Sequence, residues 1–157
     1  MNTKQKCLLI VAHAPSPNTK ALRDAVIYGA TAPDIGNVKV VERSPLETIP
    51  ADVLGAQAII LGTTENFGYM SGALKDFFDR IYYPCLEKKQ GLPFAVYIRA
   101  GQDGTGTIRA IETITSGLKW RTALKPVLCR GPYKDSFATQ CEELGKTMAA
   151  GLETGLF

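Results

Sequence analysis

Residues 13–20 read HAPSPNTK, placing the hydroxyls of Ser16 and Thr19 and the amide of Asn18 where an apolar run gives way to a helical pattern. Small hydroxyl and amide side chains beside the free N–H groups of a helix start suit an anion, because donors and dipole both favour negative charge there. The chemistry suggested is phosphate binding, although the same residues would serve equally to cap the helix. A second stretch, TTENFGYMSGALKDFFDR (63–80), sets Phe67 and Tyr69 around Gly68. A glycine between aromatics lets a backbone approach a flat ring closely, while aromatics in such a place are also ordinary core or rim. A third, RAGQDGTGTIRAI (99–111), carries Gly101, Gly104 and Gly106 in the order G-x-x-G-x-G. The dinucleotide fingerprint is G-x-G-x-x-G in the first strand–helix turn, so this is a different glycine-rich loop, able to admit a flat ligand or simply to turn.

Other reactive groups are sparse. His13 is the only histidine and reads as a hydrogen-bonding loop residue more simply than as an acid or base. Cys7, Cys85, Cys129 and Cys141 form no C-x-x-C pair, so neither a zinc site nor a redox dithiol has its ligands, and buried reduced thiols are expected. No catalytic side chain and no metal site is assigned.

The elements that position these loops follow from periodicity. Short, nearly continuous apolar runs occur at Cys7–Ala12, Val38–Val41, Ala58–Gly62, Phe94–Arg99 and Leu124–Cys129, as parallel strands covered on both faces require. Helical patterns lie between them, at 18–28, 71–81, 106–118 and 136–152, with a weaker one at 47–55. In the helix from Ser71, Leu74, Phe77, Phe78 and Ile81 make an amphipathic stripe, and Lys75 and Asp79 are spaced for an ion pair. Such alternation predicts one α/β domain over residues 1–157, a three-layer α/β/α sandwich around a five-stranded parallel sheet in the flavodoxin-like order 2-1-3-4-5. Ligands of such sheets bind beyond the carboxyl ends of the strands, where the order reverses. All three loops lie at that edge.

Composition excludes several classes. With 157 residues, 45% hydrophobic and 21% charged, the chain is neither disordered nor fibrous. No apolar run is long enough for membrane insertion, and the N-terminus reads as a first strand, so a cytoplasmic location is expected. The net charge is only +3. Lys119, Arg121, Lys125, Arg130 and Lys134 nevertheless form a stretch without an acid, either a solvated face or an attraction for an anionic partner. Nucleic acid is not expected, for want of a recognition motif or interleaved aromatics.

The whole chain resembles the flavodoxin-like NAD(P)H-dependent oxidoreductases that include FMN reductases and quinone reductases. The resemblance rests first on GTTENFGYMSGALKDFFDR (62–80) and then on the pattern P-S-x-N-T at 15–19. It implies noncovalent FMN, reduced by NADPH or NADH and passing electrons to a small-molecule acceptor such as a quinone or free flavin. By that resemblance Ser16, Asn18 and Thr19 would hold the phosphate with His13 beside it. Thr64, Glu65, Asn66, Phe67 and Gly68 would line the ring, and Ala100, Gly101, Asp103 and Gly104 would close its pyrimidine side. Thr64 stands where the family often has a proline, which would have fixed the local backbone. Homodimers or homotetramers are implied, with Tyr82, Tyr83 and Trp120 as exposed aromatics for the contact, although each fits core or rim equally well. Two other classes fit the fold. An electron-carrier flavodoxin would be acidic, whereas the pI here is near 8.7. A flavin-free binding or regulatory module would fail to take up FMN. A phosphoacceptor domain is disfavoured because Val11-Ala12-His13-Ala14 brings no carboxylate to the end of strand one.

Overall fold

The computed structural model describes residues 4–157, and within them the expected layers form. The central strands are β1 (Lys6–Ala12), β2 (Val38–Arg43), β3 (Ala58–Asn66) and β5 (Pro93–Ala100). They lie in the order β2-β1-β3-β5, all parallel, with Leu8 opposite Ala58 and Ile59 opposite Phe94. Alternation along each strand sends side chains to opposite faces. Leu9, Val11, Ile59, Leu61, Phe94, Val96 and Ile98 pack against α3 (Gly72–Cys85) and α4 (Thr105–Gly117), with the short α2 (Pro50–Leu54) at one side. Leu8, Ile10, Ile60, Ala95 and Tyr97 pack against α1 (Pro17–Ala30) and α5 (Asp135–Thr154). The 71–81 stripe buries as its spacing predicts, with Leu74, Phe77, Phe78 and Ile81 all inside. Lys75 pairs with Asp79 on the outer face.

The sheet has seven strands rather than five. The short β4 (Tyr69–Met70) runs antiparallel to the end of β3, pairing Glu65 with Met70 and Asn66 with Tyr69. Where one fifth strand is expected at Leu124–Cys129, the edge has two pieces, β6 (Arg121–Thr122), which lies before that run, and β7 (Val127–Arg130), both parallel to β5. Phe94 pairs with Thr122 and Tyr97 with Val127, so the edge strand spends two more residues than its neighbour over the same stretch. Pro126 lies in that excess, and a proline has no N–H to give the ladder.

Trp120, open between a surface contact and the core in the sequence, is core, with its ring 6.2 Å from those of both Phe78 and Phe94. Lys119 takes a left-handed φ of 58°, which turns the chain back so that the Trp120 N–H reaches the Thr115 carbonyl at 3.0 Å. Tyr82 is half-buried and Tyr83 exposed. All four cysteines are unpaired thiols. No helix among the described residues is long and apolar enough to cross a membrane, and no metal-binding cluster occurs among them.

Candidate functional site

The first loop is fixed from both ends. The His13 N–H donates to the Gly62 carbonyl at 2.9 Å, fastening the loop to β3. Ser16 then caps α1 through a reciprocal box. Its Oγ accepts the Thr19 N–H at 3.2 Å, while Thr19 Oγ1 accepts the Ser16 N–H at 2.9 Å. Two orphan donors of the helix start are satisfied in this way. Thr19 is buried and its hydroxyl also donates to the Ser16 carbonyl at 3.0 Å, so it shapes the loop from beneath. Asn18 is exposed, Pro15 and Pro17 have no N–H, and the N–H groups of Ala14 and Asn18 have no partner among the described residues. No carboxylate occurs from His13 to Lys20. His13 is half-buried, and burial pushes its imidazole below the usual value of 6.5.

The second loop is a hairpin. Phe67 and Gly68 are its two turn residues, at φ 55° and 71°, the left-handed pair that a two-residue turn of right-handed twist needs. Glycine meets that demand without strain, whereas for phenylalanine the left-handed region costs about 1–2 kcal/mol. The Phe67 ring is also fully exposed. Behind the turn, buried Thr63 Oγ1 accepts the Ser71 N–H at 3.0 Å and donates to the Thr64 carbonyl at 2.8 Å. Ser71 Oγ in turn caps α3 by accepting the Leu74 N–H at 3.1 Å. Thr64 Oγ1 donates to Asn66 Oδ1 at 2.9 Å.

The third loop joins the second. Glu65 Oε1 accepts the Gln102 N–H at 3.2 Å, and the hairpin tip rests on the start of α4, where a Cβ on Gly106 would collide with the Gly68 carbonyl oxygen. Asp103 Oδ1 accepts both the N–H and the hydroxyl of Thr105, at 3.0 and 2.9 Å. Those bonds, backbone first, hold its carboxyl below the usual range, with the charge of Arg130 adding to them. Gly104 turns the chain into α4 at φ 74° and is buried. Ala100 is wholly buried, its carbonyl taken by the Gly131 N–H at 3.0 Å. Gly101 is exposed, and its N–H has no partner among the described residues.

The predicted residues therefore gather at the carboxyl edge of β1, β3 and β5. Together they make an open shelf: free N–H donors with no acid at the first loop, and a bare aromatic hairpin beside a glycine-rich loop. Such a set fits a ligand with an anionic group at one end and a flat ring at the other. Thr63 and Gln102 escaped the sequence reading although they hold the shelf together, and Gly106, read as part of a glycine-rich turn, is where the hairpin tip rests. Thr63 carried the one available signal, a hydroxyl inside an apolar run.

A family model described as NADPH-dependent FMN reductase matches residues 20–126. The match takes in the second and third loops and begins just past Thr19. Among solved structures, a flavodoxin from the domain Archaea is 23% identical with a TM-score of 0.77, over 94% of this chain and 99% of that one. A two-electron reduced flavodoxin of Megasphaera elsdenii is 19% identical with a TM-score of 0.74, over 91% and 98%. A flavodoxin, WrbA-like protein of Agrobacterium tumefaciens is 13% identical with a TM-score of 0.70, over 93% and 96%. At these identities the structures establish the shared fold. Comparison with curated proteins gave no match.

Proposed function

Since the chain belongs to the NADPH-dependent FMN reductase family, we propose that it is a flavoprotein oxidoreductase that holds FMN on this shelf and passes electrons from NADPH or NADH to a quinone, free flavin or other small acceptor. The observation that carries the reading is Phe67, an aromatic held in left-handed backbone with its ring in solvent. Both features cost stability, and strain of this kind gathers at functional sites.

FMN, when bound, supplies the hydride-accepting and electron-storing chemistry. Everything else falls to the chain. The Ala14 and Asn18 N–H groups, the Ser16 hydroxyl and the Asn18 amide would take the phosphate, on a loop that Thr19 and the His13 N–H keep in shape. Phe67, Gly68 and the backbone of Thr64, Glu65 and Asn66 would lie against the ring. The Gly101 N–H offers a preorganised donor for negative charge developing at the ring's polar edge, with Asp103 and Gly104 setting the loop's path and Ala100 anchoring it from the core. Arg130, close enough to act on Asp103, would draw a phosphate-bearing nucleotide. A second copy of the chain would cover the open side of the shelf through the bare hairpin tip, and four unpaired thiols suit a reducing, cytoplasmic setting.

The test is to load the chain with FMN, remove oxygen, and add NADPH or NADH while following visible absorbance. Loss of the flavin band with either nucleotide is expected. A band that neither nucleotide bleaches would refute the reductase reading in favour of an electron carrier.

A further inference from the structure

At the opposite end of the sheet the loops border an open cavity of about 340 Å³. Lys6, Lys88, Lys89 and Arg121 line it, together with the amide side chains of Gln57 and Gln90, and no Asp or Glu does. None of the four cations forms an ion pair among the described residues. The basic stretch at 119–134 is thus divided by the fold. Arg130 and Lys134 stand at the carboxyl edge, while Arg121 turns the other way to meet lysines from β1 and from the segment after α3.

The arrangement is held by backbone. Glu87, Gly91 and Lys119 all take left-handed φ values, of 63°, 79° and 58°, and Glu87 and Lys119 are two of only three such non-glycine residues among those described. The Gly91 N–H donates to the Lys119 carbonyl at 2.7 Å, and the Arg121 N–H to the Leu92 carbonyl at 2.9 Å. These bonds lock the lysine-bearing turn against the strand that carries Arg121. Lys89 is half-buried, and burial pushes its ammonium below its usual value. A cation partly stripped of water and left without a counter-ion is costly, and an anion in the cavity would relieve that cost. Lys6 is partly committed already, its Nζ donating to the Leu152 carbonyl in α5 at 2.9 Å.

We propose that this cavity is a second ligand site, specific for a small, multiply charged phosphate anion, separate from the FMN shelf and at the other end of the strands. Charge points to an oligophosphate: four cations converge on one open cavity whose remaining lining, Leu92, Pro93, Leu152 and Phe157 among it, brings no carboxylate side chain to neutralise them. The site is independent of the FMN reading, since no residue is shared between the two.

Inorganic tripolyphosphate is the probe. It would be titrated at low salt into ¹⁵N-labelled chain already saturated with FMN, so that the first loop is occupied. Saturable shifts are expected at the amides of 88–91 and 121, with those of 13–20 unmoved. The double variant Lys89→Gln/Arg121→Gln should bind at least about tenfold more weakly while keeping the native spectrum and FMN, as loss of two charge-assisted partners implies. Lys125→Gln/Arg109→Gln removes the same charge elsewhere and should bind as the parent does. Shifts that never saturate, shifts confined to 13–20, or equal weakening in both double variants would overturn the proposal, leaving the cations to offset the negative ends of the helices alone.

Discussion

His13 is the only histidine, which makes its titration unusually easy to isolate. Burial lowers its pKa from 6.5, so below that value the unfolded chain takes up a proton that the folded chain refuses. Unfolded protein then binds more protons, and stability falls as pH drops below 6.5. Nuclear magnetic resonance of the imidazole in the FMN-free chain should give a midpoint under 6.5, rising when the FMN phosphate binds nearby. A midpoint at or above 6.5 without FMN would contradict the burial described. Phe67 offers a complementary prediction, because asparagine accepts left-handed backbone more readily than phenylalanine and Asn-Gly is the favoured pair for such a turn. Phe67→Asn should raise the stability of the FMN-free chain by about 0.5–1 kcal/mol in urea denaturation and weaken FMN binding about tenfold through the lost ring contact. Lower stability, or unchanged FMN affinity, would count against a residue held in strain for its ligand.

At the scale of elements, the contact between the hairpin and α4 depends on the missing side chain of Gly106. The atom that a Cβ there would strike is the Gly68 carbonyl oxygen, and backbone cannot swing aside as a flexible side chain would. Gly106→Ala should cost about 1–3 kcal/mol, more than the gain of about 1 kcal/mol that alanine brings to a helix. Gly72→Ala opens α3 with nothing within 4 Å of the new atom and should be neutral or stabilising by up to about 1 kcal/mol. Urea denaturation of both variants settles the contrast. Elements of this kind were unequally legible in the sequence. The stripe Leu74, Phe77, Phe78, Ile81 and the runs behind β1, β2, β3 and β5 declared themselves because burial on a whole face leaves a periodic trace. β4 left none, being two residues long after a turn whose first residue is a phenylalanine. The split of the edge strand could have been suspected only from Pro126. Trp120 sits among polar neighbours in sequence and is core solely because a left-handed turn at Lys119 redirects it.

For the molecule as a whole, the topology decides which loops meet, and the side chains decide what they can hold. That Ser16, Asn18 and the glycine-rich third loop reach one edge of the sheet was readable in advance, because alternating strands and helices send every strand–helix loop there. The Glu65–Gln102 bond and the docking of Gly68 on Gly106 were not, since each joins positions far apart in sequence through backbone atoms that carry no residue signature. The same division explains the two faces of the charge pattern: one basic stretch serves both ends of the sheet once the chain is folded. Seven strands in place of five do not alter where the site lies, because β4 and the divided edge strand only extend or border the four central strands.

In the proposed assignment the first loop holds the phosphate of FMN, and this is the part of the site that lies outside the family match. Equilibrium dialysis of the chain against FMN and, separately, against riboflavin, which has the same ring and no phosphate, measures it directly. One FMN per chain is expected, with riboflavin bound at least about tenfold more weakly for want of the charge-assisted hydrogen bonds to the loop. Equal affinity for the two, or retention of neither, would contradict the assignment.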